Sequence, residues 1–134
     1  MYRFHKQFKA LKKIILKRKL SKIRKTKSVF GIPKLDNTNI RYNKKLGGGS
    51  LNDLGVYPIS TINFLFDDEI NRVNSVTIRE NNNKVDLYGR VKFDLKRNKN
   101  QFDFKWYIGG KYKNTIKLIY DNLEIKTDYI YSKK

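Results

Sequence analysis

From Ile70 to Ile125 the apolar residues of this chain recur at every second position, and that period leaves few folds open. Val85, Leu87, Val91, Phe93 and Leu95 share one parity, while Lys84, Asp86, Arg90, Lys92 and Asp94 share the other. Phe102, Phe104, Trp106 and Ile108 alternate with Asp103, Lys105 and Tyr107, and Ile116, Leu118, Tyr120, Leu123 and Ile125 follow. Alternation of this kind makes strands with one buried and one wetter face, the pattern of an antiparallel sheet. Asn81-Asn82-Asn83, Arg97 to Asn100, Gly109-Gly110 and Asp121-Asn122 lie between the runs and read as hairpin turns.

A helical period precedes the sheet in two places. Phe4, Phe8, Leu11 and Ile15 fall at helical spacing, with Ile14 widening the stripe, which predicts a helix from about His5 to Arg18. After Lys22 the pattern turns extended through Val29, Phe30 and Ile32 to Pro33, then polar, with Asp36, Asn37 and Asn39 as turn formers. Gly47-Gly48-Gly49-Ser50 leads into a second helix, where Leu51, Leu54, Val56, Ile59, Ile62 and Leu65 cover much of the circumference and predict a central position. Ser50 is the expected N-cap, and Pro58 is expected to kink this helix or shift its start. The expected fold is α+β: a mostly antiparallel sheet, drawn as a meander, with two main helices packed on one face. At 134 residues, positions 1–134 form one domain.

Composition excludes several kinds of chemistry. With no cysteine there is no disulfide framework, thiolate metal site or catalytic thiol. The single histidine, His5, excludes a His-rich zinc site, so no metal is expected. The longest apolar-leaning run, Leu54 to Phe66, has 13 residues, whereas a bilayer span takes about 20. A soluble cytoplasmic protein without membrane partners is therefore the expectation.

The net charge of +19 invites a nucleic-acid or anionic-membrane reading. Yet Lys, Asn and Ile, all favoured by AT-rich coding, supply 51 of the 134 residues, which raises the charge without any ligand. The charge is also uneven, since residues 1–27 hold 12 basic side chains and no acid. The first helix is thus a presequence or membrane-surface helix, a nucleic-acid contact, or the solvated face of a domain helix.

The glycine run is not a dinucleotide fingerprint. Leu46 to Ser50 lacks the Gly-x-Gly-x-x-Gly spacing, and Arg41 to Lys45 is too polar to be the buried strand before it. No Gly-Lys-Ser or Gly-Lys-Thr occurs either. Asp53 and Tyr57 are the sharper pair, because residues four apart share a helix face. A carboxylate beside a phenol can move a proton, although Asp53 also suits a helix N-terminus and Tyr57 also suits a core.

The segment Gly47-Gly48-Gly49-Ser50-Leu51-Asn52-Asp53-Leu54-Gly55-Val56-Tyr57 resembles the Gly-Gly-Gly-x-x-x-Asp-x-Gly-x-Tyr segment of the Gfo/Idh/MocA oxidoreductases, named for glucose–fructose oxidoreductase and inositol dehydrogenase. Met1-Tyr2-Arg3-Phe4-His5-Lys6-Gln7 is similar to the Met-Tyr-Arg-Phe-His-Pro-Gln that opens the family's second domain, and Asn39-Ile40-Arg41-Tyr42 also fits. The resemblance implies the C-terminal α/β domain of an NAD- or NADP-dependent enzyme acting on a sugar, nucleotide-sugar or related polyol. It implies Asp53 as orienting or relay group, Tyr57 as acid/base, and Arg41, His5 and Arg3 as wall residues for the substrate. A tyrosine at position 57 is more like the glucose–fructose oxidoreductase and dihydrodiol dehydrogenase branch.

The same resemblance marks departures. The N-terminal Rossmann domain and the lysine of its Glu-Lys-Pro motif are absent from these residues, Lys6 replaces a proline, and the C-terminal end is expected to be truncated. Expected partners are a sugar-type substrate, a separate Rossmann polypeptide, and further copies of the chain associating through the sheet. On this reading the chain alone turns nothing over. The alternative is a non-enzymatic basic module that binds nucleic acid or an anionic membrane through the first helix. Against it, Phe102, Phe104 and Trp106 share the parity of the aliphatic residues, as core residues do.

Overall fold

The computed structural model describes residues 6–17, 23–82, 84–97 and 100–131. Helix α1 (Lys6–Lys17) buries Phe8, Leu11 and Ile15. Ile14, expected to widen the stripe, is 38% exposed, so the buried stripe is one residue wide at that turn. Phe8 packs on Phe64 with ring centroids 5.0 Å apart, and Lys12 lays its ammonium 4.6 Å from the centre of the Phe64 ring. The helix covers apolar surface with a lysine stem while the charge stays in water.

Six strands form one sheet: β1 (Ile23–Ile32), β2 (Ile70–Glu80), β3 (Asp86–Leu95), β4 (Gln101–Ile108), β5 (Lys113–Tyr120) and β6 (Glu124–Asp128). Their order is β2-β3-β4-β1-β5-β6, so the antiparallel run is interrupted where β1 lies between β4 and β5. β1 is parallel to β4, with Phe30 opposite Trp106, and antiparallel to β5, with Ser28 opposite Ile116. Gly109-Gly110 is consequently not a hairpin turn. Both amides donate to the Ile32 carbonyl at the end of β1 (3.0 and 3.2 Å), and the chain passes over that strand to begin β5. Asp121-Asn122 does close a hairpin, in which the Tyr120 amide donates to the Leu123 carbonyl at 2.8 Å.

The predicted parity holds in the core. Phe93 and Phe102 stack at 5.0 Å, Phe104 meets both edge-on, and Phe66 closes on Phe102. Trp106 fits because two neighbours lack side chains. A Cβ on Gly55 would come within 2.9 Å of the indole, and Gly89, directly opposite in β3, clears the other approach.

The second helical segment has two parts. A π-helical turn (Leu51–Gly55) precedes α2 (Val56–Leu65). Pro58 has no N–H to give the Leu54 carbonyl, and its ring crowds that oxygen, so the wide turn sits where the expected disturbance was placed. Leu54, Ile62 and Leu65 are buried, but Leu51 is 37% and Val56 46% exposed. The segment therefore lies on the sheet by one face and is not surrounded. No helix among the described residues is long and apolar enough to cross a membrane.

Candidate active site

Residues 33–49 leave the end of β1 and return to the second helix with little regular structure, so side chains set their path. The Asp36 carboxylate accepts from the Thr38 hydroxyl (2.5 Å) and amide (2.9 Å), and these bonds hold its carboxyl below the ordinary carboxylate range. Asn39 and Asn43 cap the 3-10 turns Ile40–Tyr42 and Lys44–Leu46 by accepting from the amides of Arg41 (3.1 Å) and Lys45 (3.0 Å). Asparagine suits both places because its side chain mimics the next backbone carbonyl.

Where the path folds back, glycine is required. A Cβ on Gly48 would lie 2.6 to 2.8 Å from the carbonyl oxygens of Arg41, Ile40 and Asn43. Gly49 has φ +130°, and the Asp86 carboxylate occupies the place its Cβ would take. That carboxylate, at the start of β3, accepts from the Ser50 hydroxyl and the Leu51 amide, both at 2.7 Å. Ser50 itself is helical (φ −71°, ψ −26°) and makes no side-chain cap, which corrects the expected role. Asp86 reaches across from the sheet and puts a full negative charge at the positive end of the helix, a stronger match than a hydroxyl.

This scaffold joins Asp53 to Arg41. Arg41 Nε donates to Asp53 Oδ2 at 2.6 Å, and the two side chains are 35% and 30% exposed. The bond to Asp53 raises the Arg41 guanidinium above its ordinary value, and Tyr57 adds to this at longer range. Arg41 and Asp53 line a concavity of about 150 Å³ together with Ile40, Leu46, the three glycines and Asn52. One turn onward, the Tyr57 ring meets Phe30 edge-on (5.2 Å) and Tyr131 at a tilt (5.9 Å), and Phe30 and Tyr131 lie 5.4 Å apart. Tyr131 in turn shares a 2.6 Å hydrogen bond with Ser28 of β1. Arg41 and Asp53 are thus brought together at the concavity, Tyr57 packs one turn onward against Phe30 and Tyr131 and is not among the residues lining it, and Arg3 and His5 lie outside the described residues.

The glycine turn does not fit a dinucleotide. The Gly48 and Gly49 amides are engaged by the Asn43 carbonyl (2.9 Å) and the Arg41 carbonyl (3.0 Å), and Asp86 already holds the helix N-terminus. A phosphate there would meet a carboxylate instead of free N–H groups. Sequence reasoning missed Asp86 and Tyr131. The only signal for Asp86 was an acid at the first position of a strand, and Tyr131 follows the last alternating run with no pattern of its own.

Comparison with known proteins bears on this arrangement. Residues 8–125 match the family model described as the GFO/IDH/MocA C-terminal domain. The dTDP-3,4-didehydro-2,6-dideoxy-alpha-D-glucose 3-reductase of Saccharopolyspora spinosa is 30% identical over 91 residues, which covers 68% of this chain and 27% of that protein. An uncharacterized oxidoreductase of Rhizobium meliloti is 35% identical over 77 residues, 58% of this chain and 23% of its own length. The chain therefore spans about a quarter of these relatives.

A 3-ketoreductase from Actinomadura kijaniata, solved with NADP and TDP-benzene, superposes with a TM-score of 0.87 at 20% identity over 98% of this chain and 40% of its own. An aldose-aldose oxidoreductase from Caulobacter crescentus, solved with glycerol, gives 0.84 at 19% identity over 99% of this chain and 41% of its own. At that identity the likeness is one of fold. The family model covers most of the chain, and with the fold it settles the assignment: this chain belongs to the GFO/IDH/MocA C-terminal domain family of oxidoreductases.

Proposed function

We propose that this chain forms the substrate side of an NAD(P)-dependent oxidoreductase acting on a sugar, nucleotide-sugar or related polyol. The observation that supports it most is the Arg41–Asp53 pair lining a concavity, with Tyr57 on the next turn. A nucleotide-sugar is the favoured substrate, since the Saccharopolyspora relative is named for a dTDP-sugar. A Rossmann domain of the family type would hold the nicotinamide, which would supply or take the hydride.

This chain's own residues handle the proton and the pose. The Tyr57 hydroxyl gives a proton to the substrate oxygen in reduction and takes it in oxidation. Asp53 orients that hydroxyl or relays its proton, and Arg41 holds Asp53 in place while offering its remaining N–H groups to a hydroxyl or phosphate. The cytoplasm, where NAD(P) is available, is the compartment of this reading. Copies of the chain associate through the sheet at the β2 edge, where Val73, Val76 and Ile78 are 50%, 60% and 41% exposed.

Calorimetry and a spectrophotometric assay test the reading. The 134-residue chain alone is expected to bind no NADH and to oxidise none with a dTDP-keto-sugar. Adding a family Rossmann domain as a second polypeptide is expected to restore turnover. Saturable NADH binding by the chain alone, or a restored activity indifferent to Tyr57→Phe, overturns it.

A further inference from the structure

Beyond β6 the backbone turns back at Tyr129, whose φ of +57° is a conformation that residues other than glycine seldom take. Asn114, in β5, holds that turn twice. Its carbonyl accepts from the Tyr129 amide (2.6 Å) and its side-chain oxygen from the Tyr131 amide (2.9 Å). From α1, Gln7 donates to the Thr127 hydroxyl and, at 2.8 Å, to the Asp128 carbonyl. Asn114 lies directly opposite Phe30 in the register of β1 and β5, so the turn delivers Tyr131 against the Phe30 ring.

Tyr131 is buried and its hydroxyl is tethered. It shares a 2.6 Å hydrogen bond with Ser28, and the Thr61 hydroxyl lies 3.3 Å from the same oxygen. Ser28 and Thr61 are both fully buried and each has a second partner. Ser28 donates to the Thr115 carbonyl at 3.2 Å and Thr61 to the Tyr57 carbonyl at 2.9 Å. These hydroxyls join β1, the turn after β6 and α2, and one link ends on the backbone of Tyr57 itself. The rings make a second link, because Phe30, Tyr57 and Tyr131 each lie within 5.2 to 5.9 Å of the other two. Tyr57 needs such support. It is the second residue of α2, just past the π-helical turn and just before Pro58. Proline disfavours the helical conformation in the residue before it and gives no N–H to the preceding turn, so helix hydrogen bonding fixes Tyr57 less firmly than its neighbours.

From this arrangement we infer that Tyr131 is the positioning residue for Tyr57: tethered to Ser28 and Thr61 through its hydroxyl, it holds the Tyr57 ring against Phe30 in one orientation. The inference rests on the acid/base role proposed for Tyr57, and Tyr131 itself moves no proton. Its leverage is geometric, since a misplacement of about 1 Å at a reacting group can cost about a hundredfold in rate.

Two measurements test it, one of them without catalysis. In the isotope-labelled whole chain, three-bond couplings from the backbone to Cγ of Tyr57 report its χ1 rotamer. Wild type is expected to show one rotamer, Tyr131→Leu to average the couplings, and Tyr131→Phe, which keeps the ring and loses the tether, to average them in part. Tyr131→Phe is the safer variant for folding, because Ser28 and Thr61 keep their carbonyl partners. Arg90→Ala, which weakens the sheet without touching these rings, is the control and is expected to leave the couplings as in wild type. In the enzyme assembled with a family Rossmann domain, Tyr131→Leu is expected to lower kcat about tenfold and Tyr131→Phe about threefold, with KM for a dTDP-keto-sugar within about twofold of wild type. Wild-type couplings in both Tyr131 variants overturn the inference, as does averaging by Arg90→Ala as large as that by Tyr131→Leu. A KM that rises while kcat holds overturns it too. If Tyr131→Leu does not fold, Tyr131→Phe decides alone, and wild-type couplings or wild-type kcat in that variant overturn the inference. Turnover indifferent to Tyr57→Phe sinks the acid/base reading instead, and the couplings separate that failure from a failure of the Tyr131 contact.

Discussion

Two arginine–aspartate pairs in this chain share a chemistry and differ in construction. Arg90 and Asp103 sit on neighbouring strands, joined by two parallel 2.7 Å bonds, and the Asp103 side chain is only 9% exposed. Strand register holds them, and neither carboxylate oxygen is left over. Arg41 and Asp53 are joined by one bond from Nε, both are about a third exposed, and an irregular loop capped by asparagines and closed by glycine positions them. The first pair spends its hydrogen-bonding capacity inside the fold. The second keeps guanidinium N–H groups and a carboxylate oxygen beside a concavity, which is what a ligand needs. Similar residues at similar distances thus serve the fold in one place and, on the proposed function, a site in the other, and what separates them is the unused capacity.

The largest expected effect tests that division through activity. In the assembled two-polypeptide enzyme, Asp53→Asn is expected to lower turnover about a hundredfold, the low end of what an acid/base unit contributes. Arg90→Ala is expected to change turnover less than twofold, measured at a temperature well below the melting point of both variants. A loss of similar size in the two variants breaks the comparison.

Stability should show the reverse ranking. Arg90→Ala leaves a nearly buried carboxylate without its partner, but Arg90 is itself 42% exposed and its attraction is screened. The expected loss is about 1–2 kcal/mol by chemical denaturation. The hydrogen bond from Arg90 holds the Asp103 carboxyl below the ordinary carboxylate range, against the opposing push of burial. A depressed folded value stabilises fully above the unfolded carboxylate's pKa and is lost as pH falls through the folded value. The gap between wild type and Arg90→Ala is therefore expected to be constant near neutrality and to close below about pH 4. A gap that stays open in acid assigns the loss to packing of the arginine stem.

The sequence exposed these two regions unequally, for physical reasons. Parity alone puts Asp103 on the opposite face from Phe102 and Phe104, because a side-chain period of two is a local property of a strand. Strand order is not local. Nothing in Ile23 to Ile32 says that this strand enters between β4 and β5, so Gly109-Gly110 reads as a hairpin when it is a crossing. At the site, the glycines and Asp53 were visible as a motif. Asp86 was not, since its partner Ser50 is 36 positions earlier and only the folded sheet brings it under the helix. The π-helical turn at Leu51–Gly55 was foreshadowed by Pro58, but the exposure of Val56 was not, because one-sided packing depends on what the helix lies against.

The smallest expected effect is the most discriminating one. Arg41→Lys keeps the positive charge and removes the planar fork, so an ammonium must find Asp53 from a more flexible stem. Because the native pair is a third exposed and makes a single bond, the stability change is expected to stay within about 0.5 kcal/mol. The site should feel the substitution more than the fold does. A lysine that reaches Asp53 has no second nitrogen to present to the concavity, so KM for a nucleotide-sugar is expected to rise several-fold with kcat little changed in the assembled enzyme. If instead Arg41→Lys destabilises the chain as much as Arg90→Ala does, the loop owes its shape to the ion pair. The asparagine caps and the Gly48 crossing would then be consequences of the Arg41–Asp53 bond, and the two pairs would be one kind of device in two settings.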